Sequence, residues 1–120
     1  MSVPRHALAL VAALALCACA PRCRNQVVRR IPGPDGTLDA VLYYRSCGAA
    51  DDTSTAVAVI PHDADLPDLP TNVLGLSRRA DVSASWTGTA GLRLVYPHSA
   101  GVVGRMDRSI DGVTVQFDPH

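Results

Sequence analysis

The chain contains no lysine and no glutamate: all eleven basic residues are Arg and all eleven acidic ones are Asp. Helix bundles draw heavily on Ala, Leu, Glu and Lys, so two of their four staple residues are missing. The formal net charge is zero, which gives no pull toward nucleic acid or anionic lipid. Aromatic residues are also scarce, with one Phe, three Tyr and one Trp, too few for a base-stacking platform. These shortages exclude several classes of protein and select no activity.

What is present begins with an address. A short cationic start containing Arg5 precedes ten uninterrupted apolar residues, 7–16 (ALALVAALAL). A membrane-spanning helix needs about twenty, whereas ten matches the apolar stretch of a secretory signal peptide. Two cleavage patterns overlap there. Ala18-Cys19-Ala20 offers small residues but is followed by Pro21, which resists cleavage. Leu16-Cys17-Ala18-Cys19 resembles the bacterial lipobox, with Cys17 where Ala, Ser or Thr is usual. Cys17 is the poorer modification site, since bulky Leu16 precedes it. The resemblance implies a diacylglycerol on the Cys19 thiol and an acyl chain on its new amino terminus, enough for durable anchoring. Ala20 after that position fits outer-membrane sorting in a Gram-negative cell. The expected organisation is a signal peptide over 1–18, a tether over 19–25 and one β-domain over 26–120.

Of four Cys, that assignment leaves Cys23 and Cys47, an even pair in an oxidising compartment. A bridge would close a loop of about 25 residues, worth roughly 3 to 4 kcal/mol on the chain-entropy model. A metal or redox pair is the alternative, but the spacing is far from C-x-x-C and no His flanks it.

The remainder reads as strands. Residues 26–31 form a first candidate, and 32–37 (PGPDGT) supply turn chemistry. Residues 38–47 (LDAVLYYRSC) are rich in β-formers and carry apolar residues on both faces at their middle, as a strand covered on two sides does. Residues 53–60 are small and β-branched. The stretch 61–71 holds three Pro and three Asp and reads as a loop. Residues 72–76 fit a brief edge pairing. Val82, Ala84 and Trp86 alternate on one face, as do Leu92, Leu94 and Tyr96. Asp111-Gly112 between the strand-like runs 102–110 and 113–117 is a strong hairpin signal. The expected fold is all-β: a small antiparallel sandwich or partly open barrel of seven or eight short strands.

Pro34-Asp35-Gly36, Asp39-Ala40-Val41, Arg45-Ser46-Cys47-Gly48-Ala49, Ser54-Thr55 through Val57 and Val59, the Asn72-Val73 pair, Trp86 before residues 92–96, and Gly112-Val113 form a recurring set. Together they resemble a family of small uncharacterised bacterial exported proteins, many of them lipoproteins. The resemblance covers most of residues 30–117 and implies a fold and a compartment but no activity. Ala50-Asp51-Asp52 departs from the Thr that often follows C-G-A in such sequences.

Few residues suggest chemistry. His62, Asp63, Asp65 and Asp68 form the one dense ligand-like cluster. Carboxylates on a loop can hold Ca²⁺, but the glycine turn and closing Glu of an EF-hand are missing. Zinc through His62 would need His98 or His120, both remote in sequence. A solvated acidic loop is the preferred reading. None of the serines lies in G-x-S-x-G. Arg45 is either a binding residue presented on the sheet or the partner of Asp39 across a solvent face, and the second is preferred. Trp86 is expected in the core. The sequence therefore points to a lipid-anchored, non-enzymatic envelope module that contacts the membrane through its anchor and another envelope protein through its fold. No cofactor and no nucleic acid are expected. The alternatives are a small metal-dependent or hydrolytic enzyme built on His62, Asp63 and Asp65, and an inhibitor of a cell-wall hydrolase.

Overall fold

A computed structural model describes residues 23–48, 53–67, 72–105 and 109–120. The signal segment, Cys19 and Asp68 lie outside the described residues. Among those described, the chain forms nine strands: β1 Arg24–Pro32, β2 Leu38–Ser46, β3 Thr53–Pro61, β4 Leu74–Leu76, β5 Ser83–Thr87, β6 Gly91–Tyr96, β7 Val102–Arg105, β8 Ser109–Ile110 and β9 Val113–Pro119. One sheet has the order β1-β2-β3-β4-β7 and the other β5-β6-β9-β8. They face each other as an open sandwich, in line with the all-β expectation.

The core lies between the sheets. Ala40, Leu42, Val57, Val59, Leu74 and Leu76 of the first meet Ala84, Leu92, Leu94, Tyr96, Val113 and Val115 of the second. Their alternation follows from the period of two, which sends every second side chain of a strand to the same face. β2 and β3 pair in unbroken antiparallel register from Leu38↔Pro61 to Ser46↔Thr53. Their other face is also buried: Val41, Tyr43, Ala56, Ala58 and Ile60 form a second apolar cluster, with Leu66 from the following loop packed on it. β2 is thus covered on both sides, as its unbroken apolar middle requires.

Three local expectations need correction. β4 is no edge strand, because β7 pairs on its far side and Leu74 to Leu76 are buried. The run 102–110 is not one strand either: Val102–Arg105 joins the first sheet and Ser109–Ile110 the second. The sandwich is also not wholly antiparallel, since β6 and β9 run parallel from Gly91↔Thr114 to Tyr96↔Pro119. The chain leaves β6 for β7 in the opposite sheet before returning through β8, so no direct hairpin joins β9 to β6, and β9 takes its direction from the β8 hairpin.

Side chains close what the strands leave open. The Asn72 amide accepts from the Val59 nitrogen at 2.8 Å and donates to the Val59 carbonyl at 2.9 Å, standing in for a strand residue ahead of β4. The buried Thr55 hydroxyl donates to the Arg78 carbonyl and accepts from the Ala80 nitrogen. The β8–β9 turn has φ of 50° at Asp111 and 81° at Gly112, the positive pair that a type I′ hairpin needs.

The edges of the five-stranded sheet are β1 and β7. Both carry exposed valines, Val27 and Val28 on one and Val102 and Val103 on the other. β1 also bears Arg24, Arg29 and Arg30 and shifts register between Val27 and Arg29. Charge and bulge together discourage edge-to-edge pairing. Cys23 and Cys47 are joined by a disulfide just beyond the Arg24↔Ser46 pair, so the bond continues the ladder by one covalent rung. Replacing both cysteines with serine should lower unfolding free energy by roughly 3 kcal/mol in urea titrations.

Candidate functional site

Two constellations of polar side chains stand out, on different parts of the sandwich. The first lies on the outer face of the five-stranded sheet. Arg30 of β1 faces Val41 in register, which makes Asp39 its diagonal neighbour on that face. Asp39 is 1% exposed, receives the Arg30 Nε at 2.5 Å and meets His62 Nδ1 at 2.9 Å. The same guanidinium donates through Nη2 to the carbonyls of Pro61, His62 and Ala64, at 3.2, 2.8 and 2.8 Å. One arginine therefore gathers the start of the loop after β3 and holds it over the sheet. That brings Leu66 onto the second apolar cluster.

Burial pushes the Asp39 carboxyl up, but the hydrogen bonds from Arg30 and His62 and their positive charges outweigh it and leave it below its ordinary value. The hydrogen bond to Asp39 and its charge raise the His62 imidazole, with Asp63 adding in the same direction, against some burial and the Arg30 charge. Asp39 and His62 thus each favour the other's ionised form. His62 keeps an exposed ring, 47% by side-chain area, and a carboxylate that orients an imidazole is an arrangement able to support proton transfer.

The structure brings together only part of what the sequence suggested here. His62 turns to Asp39, while Asp63 and Asp65 stay exposed on the loop. Among the described residues no three His, Cys or acidic side chains are grouped to hold a metal ion. Arg45 does not pair with Asp39. The two are six residues apart on one strand, and Arg45 donates instead to Asn25 directly across from it, at 3.0 Å. Nor is Asp39 on a solvent face. Arg30 was missed altogether. The signal available was a carboxylate inside a run expected to be covered on both faces, since a buried charge demands a partner.

The second constellation is a cleft of about 120 Å³ at one end of the sandwich, where three turns converge. Gly33, Pro34, Asp35 and Thr37 come from the β1–β2 turn, Thr89 and Ala90 from the β5–β6 turn, and Asp111 and Gly112 from the β8–β9 turn. Trp86 forms one wall. Its Nε1 donates to the Ile31 carbonyl at 3.0 Å, which joins the edge strands of the two sheets and fixes the ring. Trp86 packs against the core without being fully enclosed by it. The Asp35 carboxylate accepts from the Thr37 nitrogen and hydroxyl, at 3.1 and 2.8 Å, and these bonds hold it below its ordinary value. At Gly33 a Cβ would meet the Leu38 carbonyl at 2.8 Å, so the chain can close this turn only with glycine, whose neighbour on the other side is the indole of Trp86.

Compared with protein-family models, with curated proteins and with solved structures, the chain finds no match in any of the three.

The outer-face cluster sets two pH dependences. The raised His62 contributes stability that is complete below about pH 6.5 and lost as pH rises through its folded value. The lowered Asp39 contributes stability present above about pH 4 and lost as pH falls through its folded value. Melting temperature should therefore peak between these limits, and His62→Gln should flatten the alkaline side in scans from pH 5 to 9. Arg30→Met, which strands the buried carboxylate, should cost on the order of 3 kcal/mol, and adding Asp39→Leu should recover much of it. Chemical unfolding of the single and double variants checks both statements.

Proposed function

We propose that this protein is an exported, lipid-anchored module of the cell envelope that binds another envelope component without catalysing a reaction. The observation that carries the reading is the Cys23–Cys47 bridge, four residues beyond the candidate lipidation site Cys19. A cross-strand disulfide suits an oxidising compartment, and here it ties the start of the domain to its central hairpin. The apolar run 7–16 and the lipobox-like Leu16 to Cys19 point to the same address. In a Gram-negative cell, Ala20 after the anchor favours the outer membrane, facing the periplasm. The likeness of its motifs to exported proteins of unknown role belongs to the same proposal. The two edge strands with exposed valines and the end cleft offer the contact surface.

A second reading, a small hydrolase, is favoured by one observation only: the buried Asp39 orienting the exposed His62. In the binding reading, that pair serves to hold the loop on the sheet.

The test is the intact mass of the native protein from a membrane fraction, with and without reductant. A mass that begins at Cys19, carries acyl chains and rises by about two hydrogens on reduction is expected from the anchor and the bridge. A mass beginning at Met1 with free thiols would overturn the proposal. Cys19→Ser should release the protein from membranes. In-cell crosslinking should trap an envelope partner with wild type and His62→Gln alike, whereas a hydrolase would lose its phenotype in His62→Gln.

A further inference from the structure

The end cleft has a chemistry of its own. Its described lining holds two carboxylates, Asp35 and Asp111, on separate turns, together with the hydroxyl residues Thr37 and Thr89, the indole of Trp86 and no basic side chain. Two negative charges set beside an aromatic wall favour a positive ligand, because the ring's quadrupole and the carboxylates attract the same sign. The cleft is also small. About 120 Å³ is well below the about 300–1,000 Å³ of sites that enclose drug-sized molecules, so it suits the end of a single side chain. It is held open in advance. Trp86 is fixed through Ile31, Asp35 is fixed by Thr37, and the start of β9 is tied to the β5–β6 turn by the Thr114 nitrogen donating to the Ala90 carbonyl at 2.8 Å. A preformed site loses less entropy on binding.

We propose that this cleft receives a basic side chain of a protein partner, with its apolar stem along Trp86 and its cationic end between Asp35 and Asp111. The inference deepens the binding-module reading and rests on it, by naming the chemistry of one contact. Arginine fits better than lysine, since its planar fork can donate to carboxylates on two sides and lie against an aromatic ring. The hydrogen bonds from Thr37 keep the Asp35 carboxylate ionised.

Trp86 is the sole tryptophan of the chain, so its fluorescence reports on this wall without interference. The purified domain is titrated with N-acetyl-arginine amide, with the uncharged N-acetyl-citrulline amide and with choline. A saturable change with the arginine compound, at a dissociation constant of about millimolar as befits one anchoring group, is expected. The citrulline compound should fail to saturate. Asp35→Asn with Asp111→Asn should weaken the arginine response by about tenfold or more. Asn suits both turns, because it can make the same local hydrogen bond at 35 and tolerates the positive φ at 111. An unchanged far-ultraviolet spectrum and melting temperature then separate loss of charge from loss of fold, and each single Asn variant repeats the test if the pair unfolds. No saturation with the arginine compound, an equal response to citrulline, or an unaltered response in folded variants would overturn the proposal. Tighter binding of choline than of arginine would overturn the protein side chain as its source and point to a headgroup. None of these results bears on the mass measurement, so either proposal can fail alone.

Discussion

The Asp39 carboxylate governs the outer face of the larger sheet. It lies inside an apolar strand at almost no exposure, and a lone ion there would be expelled or neutralised. Arg30 and His62 make it tolerable, and in doing so they determine where the chain goes next. The guanidinium that neutralises Asp39 also donates to three carbonyls, Pro61 at the end of β3 and His62 and Ala64 of the loop after it. The loop is thereby bent back over β2 and β3, and Leu66 reaches the cluster of Val41, Tyr43, Ala56, Ala58 and Ile60. An apolar residue at 39 could be as stable in isolation. It would leave the loop without its tie.

Much of the fold was legible because it depends on local chemistry. The turn at Pro34-Asp35-Gly36, the alternation of Val82, Ala84 and Trp86, and the Asp111-Gly112 hairpin each declare themselves within a few residues. The cysteine pair, 24 residues apart, was legible by count instead. What could not be read depends on long-range partners. The burial of β4 comes from β7, about thirty residues later, and nothing in Leu74-Gly75-Leu76 announces it. The parallel β6–β9 pairing follows from the path of the chain between sheets, which pattern alone leaves open. The same limit applied to the sites. His62 was noticed for its acidic neighbours in sequence, yet the carboxylate it meets is 23 residues earlier. Asp39 pairs with Arg30 of the neighbouring strand and not with Arg45, because a buried carboxylate takes the cation that reaches its own face.

Several residues singled out by motif prove to be fold makers. Asp35 closes a turn through Thr37, Thr55 satisfies backbone groups of Arg78 and Ala80, and Asn72 pairs with Val59 as a strand would. Trp86 does two things at once. It joins two edge strands through Ile31 and lines the end cleft, so the site and the sandwich share a side chain.

The disulfide also has a mechanical meaning. A domain held from its amino-terminal side feels tension first at the residues ahead of β1, and an edge strand pulled from its end would peel from β2 one hydrogen-bonded pair at a time. In this chain, such a load would reach Cys23 and pass through the sulfur bridge to Cys47, just past the end of β2. β1 is bypassed, because both ends of the opening that peeling would create are already covalently joined. From Cys47 the covalent path leads on to β3, which is flanked by a strand on each side and pairs with β2 along its whole length. A chain held in that way would carry its load past the β1–β2 hairpin instead of through it.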